Sequence, residues 1–137
     1  MGRILAIDYG KKRCGIAVTD PLQMIASPLQ TISTKDLDDF ISTYTKEEEV
    51  EIMVIGLPLK IDNSPTDVTA AVYRLKEKLE LKYQHIPVKF QDEKFTTILA
   101  HDAMIRGGMK KKERRKKENV DKISAALILQ SFMSMKK

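Results

Sequence analysis

Acids at three places in this chain stand where an acid can do chemistry. Asp8 closes an almost unbroken apolar run, Arg3-Ile-Leu-Ala-Ile-Asp-Tyr9. A carboxylate at that place must reach the surface, accept hydrogen bonds or hold a cation, because burying it unpaired is costly. Asp92 and Glu93 follow a second short apolar run from Val88 to Gln91, and Asp121 falls in the first turn of a helix that Asn119 opens. Each has an ordinary reading: a turn former, a surface acid, a partner for the helix dipole. Together they suggest more. Two carboxylates about 4 Å apart repel by roughly 4 kcal/mol at an effective dielectric of about 20, so a converged set needs shared protons or a bound cation. Oxygen ligands of this kind suit Mg²⁺ or Mn²⁺, and such ions activate water and stabilise the leaving oxygen in phosphodiester hydrolysis.

A polyanionic substrate fits the charge distribution. Net charge is +5, and between Arg106 and Lys122 nine Lys or Arg stand against three acids, so the positive excess belongs to one segment. Concentrated positive charge favours nucleic acid. Within the segment, Lys111, Lys112, Arg114 and Arg115 have no aromatic residue among them; they can grip phosphates but cannot stack on bases. Lys11, Lys12 and Arg13 directly follow Asp8 and can hold a phosphate beside a metal, or form a solvated turn. Cys14 reads as core, and His85 and His101 as surface residues without metal-ligand spacing.

The elements that must position these residues alternate. Arg3–Tyr9 has the continuous apolar character of a central strand, Gly10 to Arg13 form a tight turn, and Cys14–Thr19 return as a hairpin partner. A third strand is expected over Leu29–Ile32. Thr34 is placed to cap a helix bearing Leu37, Phe40, Ile41 and Tyr44 on one face. Ile52–Leu57 is a fourth, fully apolar strand. Ser64 and Pro65 look like a helix start, with Asp67 completing a capping box, and Val68, Val72, Leu75 and Leu79 form its apolar face. Val88–Gln91 is the fifth strand. A helix from about Thr96 ends at Gly107-Gly108, and the last helix carries Val120, Ile123, Leu127 and Ile128. The order implies an α/β layer fold with a mixed five-stranded sheet flanked by helices, in one domain over residues 1–137. One cysteine and the lack of any apolar run near the ~20 residues that span a bilayer point to a cytoplasmic protein without a membrane partner.

The stretch Ile7-Asp8-Tyr9-Gly10-Lys11-Lys12-Arg13-Cys14-Gly15-Ile16-Ala17-Val18-Thr19-Asp20 resembles the opening signature of the YqgF/RuvX family. Val54-Ile55-Gly56-Leu57-Pro58-Leu59 resembles its middle signature, and Asp92-Glu93-Lys94-Phe95-Thr96-Thr97 is similar to its Asp-Glu-Arg-Leu-Thr-Thr motif. Val120-Asp121, Ala125-Ala126 and Ile128-Leu129-Gln130 resemble its closing helix. The motifs run in order along essentially the whole chain. The resemblance implies a ribonuclease H-like fold and a metal-dependent nuclease that processes the 5′ end of the 16S ribosomal RNA precursor. The alternatives are a Holliday junction resolvase acting on branched DNA, or a non-catalytic RNA-binding assembly factor. It further implies Asp8, Glu93 and Asp121 as catalytic acids holding Mg²⁺ or Mn²⁺, with Asp92 the alternative to Glu93. Structured RNA is then the expected partner, and the chain a monomer or homodimer. Lys94 departs from the usual Arg, losing a bidentate phosphate fork. An Asp-x-Gly loop followed by Gly15 also resembles the first phosphate loop of actin-like ATPases, which need two such domains to enclose a nucleotide.

Overall fold

A computed structural model describes residues 2–58, 66–92, 100, 104–110 and 116–135. Five strands form one sheet: β1 (Arg3–Tyr9), β2 (Arg13–Thr19), β3 (Ala26–Ser33), β4 (Val50–Leu57) and β5 (Val88–Asp92), in the order β3-β2-β1-β4-β5. The β3-β2-β1 half is antiparallel, and β4 and β5 add to β1 in parallel. The sheet is accompanied by helices α1 (Leu37–Glu47) and α2 (Thr69–Lys82) and the long α3 (Lys117–Met135). The mixed five-stranded sheet flanked by helices is the one expected from sequence.

Side-chain alternation along β1 explains why its sequence is apolar throughout. Leu5 and Ile7 join Ile16, Val18, Met53 and Ile55 on one face, closed by Leu37 and Ile41 of α1 and Val72, Leu75 and Leu79 of α2. Ile4 and Ala6 join Ala17, Ile52 and Val54 on the other, closed by Ala125, Ala126, Ile128 and Leu129 of α3. Burying a side chain the size of Ile128 or Leu129 contributes about 1.5–3 kcal/mol, enough to hold a helix on a sheet. Alanines on both sides of this second interface bring helix and sheet close together.

Several boundaries differ from the sequence reading, each for a physical reason. Strand β3 runs longer than Leu29–Ile32; a bulge between Ile16 and Ala17 absorbs Leu29, and Pro28 sits on an edge strand where its missing N–H costs little. A single 3₁₀ turn, Thr34–Asp36, precedes α1, and the side chain of Thr34 does not cap it. Helix α2 begins at Thr69, whose hydroxyl accepts from the Thr66 N–H at 2.8 Å and donates to the Pro58 carbonyl at 2.7 Å. The turn expected of Asp67 is thus made by Thr66 and Thr69, while Ser64 and Pro65 lie outside the described residues. Helix α3 starts at Lys117, ahead of Asn119, so Asp121 is its fifth residue. Its sheet-facing side is Ser124, Ala125, Ala126, Ile128 and Leu129, with Val120, Ile123 and Leu127 only half-buried.

The glycine stop is as expected. Residues 104–106 are helical, Gly108 has φ +78°, and the amides of Gly108 and Met109 donate to the carbonyls of Ile105 and Met104. That pairing is the Schellman end, and only a residue tolerant of left-handed backbone makes it without strain.

Candidate active site

Asp8 is the last residue of β1 on the face covered by α3, in line with Ile4 and Ala6. Its register partner across the β1–β2 hairpin is Gly15, which shares that face with Ala17. Gly15 lets the start of α3 rest directly on the sheet: a Cβ there would lie 1.9 Å from the Asp121 carbonyl oxygen. Asp121 is therefore seated above the Asp8–Gly15 pair. Two acids separated by most of the chain meet on one side of one sheet, at the C-terminal end of β1, where ligands bind in open α/β sheets.

Arg13, two residues before Gly15 and on the same face, completes the group. Its Nε donates to Asp121 Oδ2 at 2.9 Å, with 35% of the Arg13 side chain and 26% of the Asp121 side chain still exposed. On the opposite face Cys14 is buried, and burial pushes its thiol above the ordinary value; the negative charges of Asp8 and Asp121 push the same way. Hydrogen bonding to Thr34 and to the Gly10 backbone partly offsets this rise. Both carboxylates thus lie within electrostatic reach of one sulfur. Cys14 is core, as its sequence context indicates, and its raised thiol is the opposite of a nucleophile's.

The turn that carries the cations is held from outside. The Thr34 hydroxyl donates to the Gly10 carbonyl at 2.6 Å, and its N–H donates to the Lys12 carbonyl at 2.9 Å. Thr34 closes the Gly10–Arg13 turn, a role invisible in sequence because the two segments are apart in the chain. Lys11 Nζ meets Asp67 Oδ2 at 2.8 Å, tying the turn to the approach to α2, and Lys12 is exposed. Of the three expected phosphate-binding cations, two already have a carboxylate partner.

Asp92 is exposed at the end of β5. Alternation puts it on the same face as Phe90, which packs against Tyr73 of α2, whereas Gln91 points to α3 and bonds Met135 Sδ at 3.4 Å. Asp92 therefore projects from the face opposite to Asp8. Glu93, Lys111, Lys112, Arg114, Arg115 and His101 lie outside the described residues; Lys110 and Lys116, which flank the basic run, are exposed, as is His85.

Among the described residues no three His, Cys, Asp or Glu side chains gather closely enough to hold a metal. Asp8 and Asp121 offer hard oxygens on one face, and that face already attracts a guanidinium. The donor set fits a hard divalent cation and lacks the sulfur or imidazole that would select a softer one. Asp8 and Asp121 are both half-buried. A cavity of about 850 Å³, lined by Leu22, Met24, Ile25 and Met133 among others, lies at the other end of the strands, beside Ile4. No described helix is long and apolar enough to cross a membrane.

A family model described as RuvX, Holliday junction resolvase, matches residues 2–135. A protein of Phocaeicola vulgatus described as a candidate pre-16S rRNA nuclease is 50% identical over 137 residues, covering 100% of this chain and 99% of its own length. One of Amoebophilus asiaticus, with the same description, is 48% identical over 134 residues, covering 98% of this chain and 95% of its own. Among solved structures, Thermus thermophilus RuvC bound to a Holliday junction superposes with a TM-score of 0.57 at 16% identity, over 98% of this chain and 96% of that one. The Fowlpox virus resolvase with its junction DNA gives a TM-score of 0.60 at 12% identity, over 97% of each chain. At such identities the likeness is one of fold, and it shows the ribonuclease H-like architecture expected from the sequence.

Proposed function

The chain belongs to the RuvX family, and on that premise we propose that it is a metal-dependent nuclease trimming the 5′ end of the 16S ribosomal RNA precursor in the cytoplasm. It hydrolyses phosphodiester bonds in nucleic acid. The observation that carries the reading is the seating of Asp121 over the Asp8–Gly15 pair. Asp8 and Asp121, with Glu93 as the third acid, would hold Mg²⁺ or Mn²⁺. A bound ion of this kind supplies water activation and stabilisation of the leaving oxygen.

The chain's own groups do the rest. Asp8 is anchored on a central strand and Asp121 on a packed helix, so neither carboxylate needs to be ordered when substrate arrives. Lys12 and Arg13 meet the phosphate, and Thr34 keeps their turn in one conformation. The basic run containing Lys111, Lys112, Arg114 and Arg115 grips the backbone further along and sets the salt dependence. The composition of that run favours structure and charge over base sequence as the feature read.

The family description favours a second reading, branched DNA as substrate. Cleavage assays on a precursor 16S fragment and on a four-way junction, run side by side with wild type and Asp8→Asn, decide between them. The proposal expects cut RNA, an intact junction and loss of cutting in Asp8→Asn. Junction cleavage alone moves the substrate to DNA. Full activity of Asp8→Asn, or activity surviving in chelator, overturns the metal nuclease.

A further inference from the structure

The sequence offers Arg13 either as a phosphate ligand beside a metal or as part of a solvated turn; in the structure it is bonded to Asp121. Its backbone is fixed, because Arg13 pairs with Ser33 at the start of β2 and Thr34 clamps the turn before it. Its side chain is not fixed to the same degree, with a third of it open to solvent. A guanidinium carries five N–H donors in a planar fork that matches phosphate as well as carboxylate.

A divalent cation that takes Asp121 must settle beside this positive charge. Even at water-like screening, a unit and a divalent charge about 5 Å apart cost on the order of tenfold in binding. Substrate removes the conflict. A phosphodiester oxygen arriving at the face offers Arg13 another anion, and a rotation of one side chain on a fixed backbone suffices for the exchange.

We infer that Arg13 is a resident counter-ion of Asp121 that substrate phosphate draws away, so that the site takes up its divalent cation together with nucleic acid and not ahead of it. The inference rests on the metal reading of Asp8 and Asp121. Its consequence is a reciprocal coupling: nucleic acid tightens metal binding, and metal tightens nucleic-acid binding by the same factor. Free protein would then stay unloaded at low ion concentration and gain its hydrolytic centre only on RNA.

The test is a Mn²⁺ titration followed by the electron paramagnetic resonance signal of the free ion, with and without a 12-base-pair RNA duplex whose integrity is checked on a gel afterwards. Asp8→Asn with the same duplex supplies the blank for ions held by RNA. Wild type should bind Mn²⁺ about tenfold tighter with duplex present. Arg13→Gln should bind tightly without duplex and gain less than about threefold from it, whereas Arg13→Lys, which keeps the charge, should retain the coupling. Unaltered coupling in Arg13→Gln, or its loss in Arg13→Lys, overturns the inference and leaves the metal site standing. Wild type indistinguishable from Asp8→Asn in both arms removes the metal reading itself. A second measurement needs no variant: the Arg13 Nε–H resonance should shift when duplex is added, and an unmoved resonance overturns the exchange.

Discussion

Gly15→Ala asks whether the contact between sheet and helix positions the acids. The added Cβ would lie 1.9 Å from the Asp121 carbonyl oxygen, 2.3 Å from its carbonyl carbon and 2.9 Å from the Lys122 nitrogen. The first distance is about 1.4 Å inside ordinary C···O contact. All three atoms are backbone, so no rotamer change relieves the clash; α3 must move as a body or its start must unwind. Overpacking a rigid site costs typically about 1–3 kcal/mol, and a backbone obstacle argues for the upper end. Moving α3 also loosens Ala125, Ala126, Ile128 and Leu129 from the sheet. A displacement of about 1 Å at Asp121 is enough for roughly a hundredfold loss of rate even in molecules that remain folded. Urea unfolding measures the first effect, and cleavage per folded molecule, at a urea-free concentration where the variant is native, measures the second. A stability loss below about 1 kcal/mol together with wild-type cleavage would refute the reasoning.

Other perturbations address the supports of the site. Thr34→Val removes the hydroxyl that donates to Gly10 at 2.6 Å; urea unfolding should show a loss of about 1–2 kcal/mol, Thr34→Ser should restore most of it, and equal stability of the valine variant would contradict the clamp. Asp20 accepts from the amides of Ile25, Met24 and Leu22, and these bonds, that of Ile25 foremost, hold its carboxyl below the ordinary value of 3.8. A lowered folded pKa stabilises the native state above the unfolded value and is lost as pH falls through the folded one. The stability gap between wild type and Asp20→Ala should thus be full at neutral pH and close below pH 3.8; a gap independent of pH would exclude the carboxylate as its source. Neutralising Lys111, Lys112, Arg114 and Arg115 together should flatten the salt dependence of nucleic-acid binding, by a slope of about 0.9 per lost contact on duplex DNA. An unchanged slope would mean that other residues form the grip.

Features with a local cause were legible in the sequence. Strand β1 reads as central because both its faces are apolar, and the stripe Leu37, Phe40, Ile41 and Tyr44 reads as a helix face because one element covers it. Gly108 reads as a stop for a conformational reason confined to one residue. What stayed hidden depends on residues far apart. Val120, Ile123 and Leu127 drew attention in α3 by size, yet the sheet is met by Ser124, Ala125 and Ala126, because close approach selects small side chains and periodicity does not report distance. Thr34 resembled a cap since nothing local shows that Gly10 lies beside it. The Arg13–Asp121 pair spans 108 positions, and a phosphate grip was the natural reading of three successive cations. Of the candidate acids, Asp8 and Asp121 do share a face, while strand alternation turns Asp92 away from it.

The central claim is that Asp8 and Asp121 hold one divalent cation between them. The most direct measurement is anomalous diffraction from a crystal of this protein soaked in Mn²⁺. The account predicts a peak bonded by one oxygen from each carboxylate, at about 2.0–2.2 Å, with the third acid completing the set. A peak held by only one of the two, or no peak on the α3 face of β1 at saturating Mn²⁺, would contradict it.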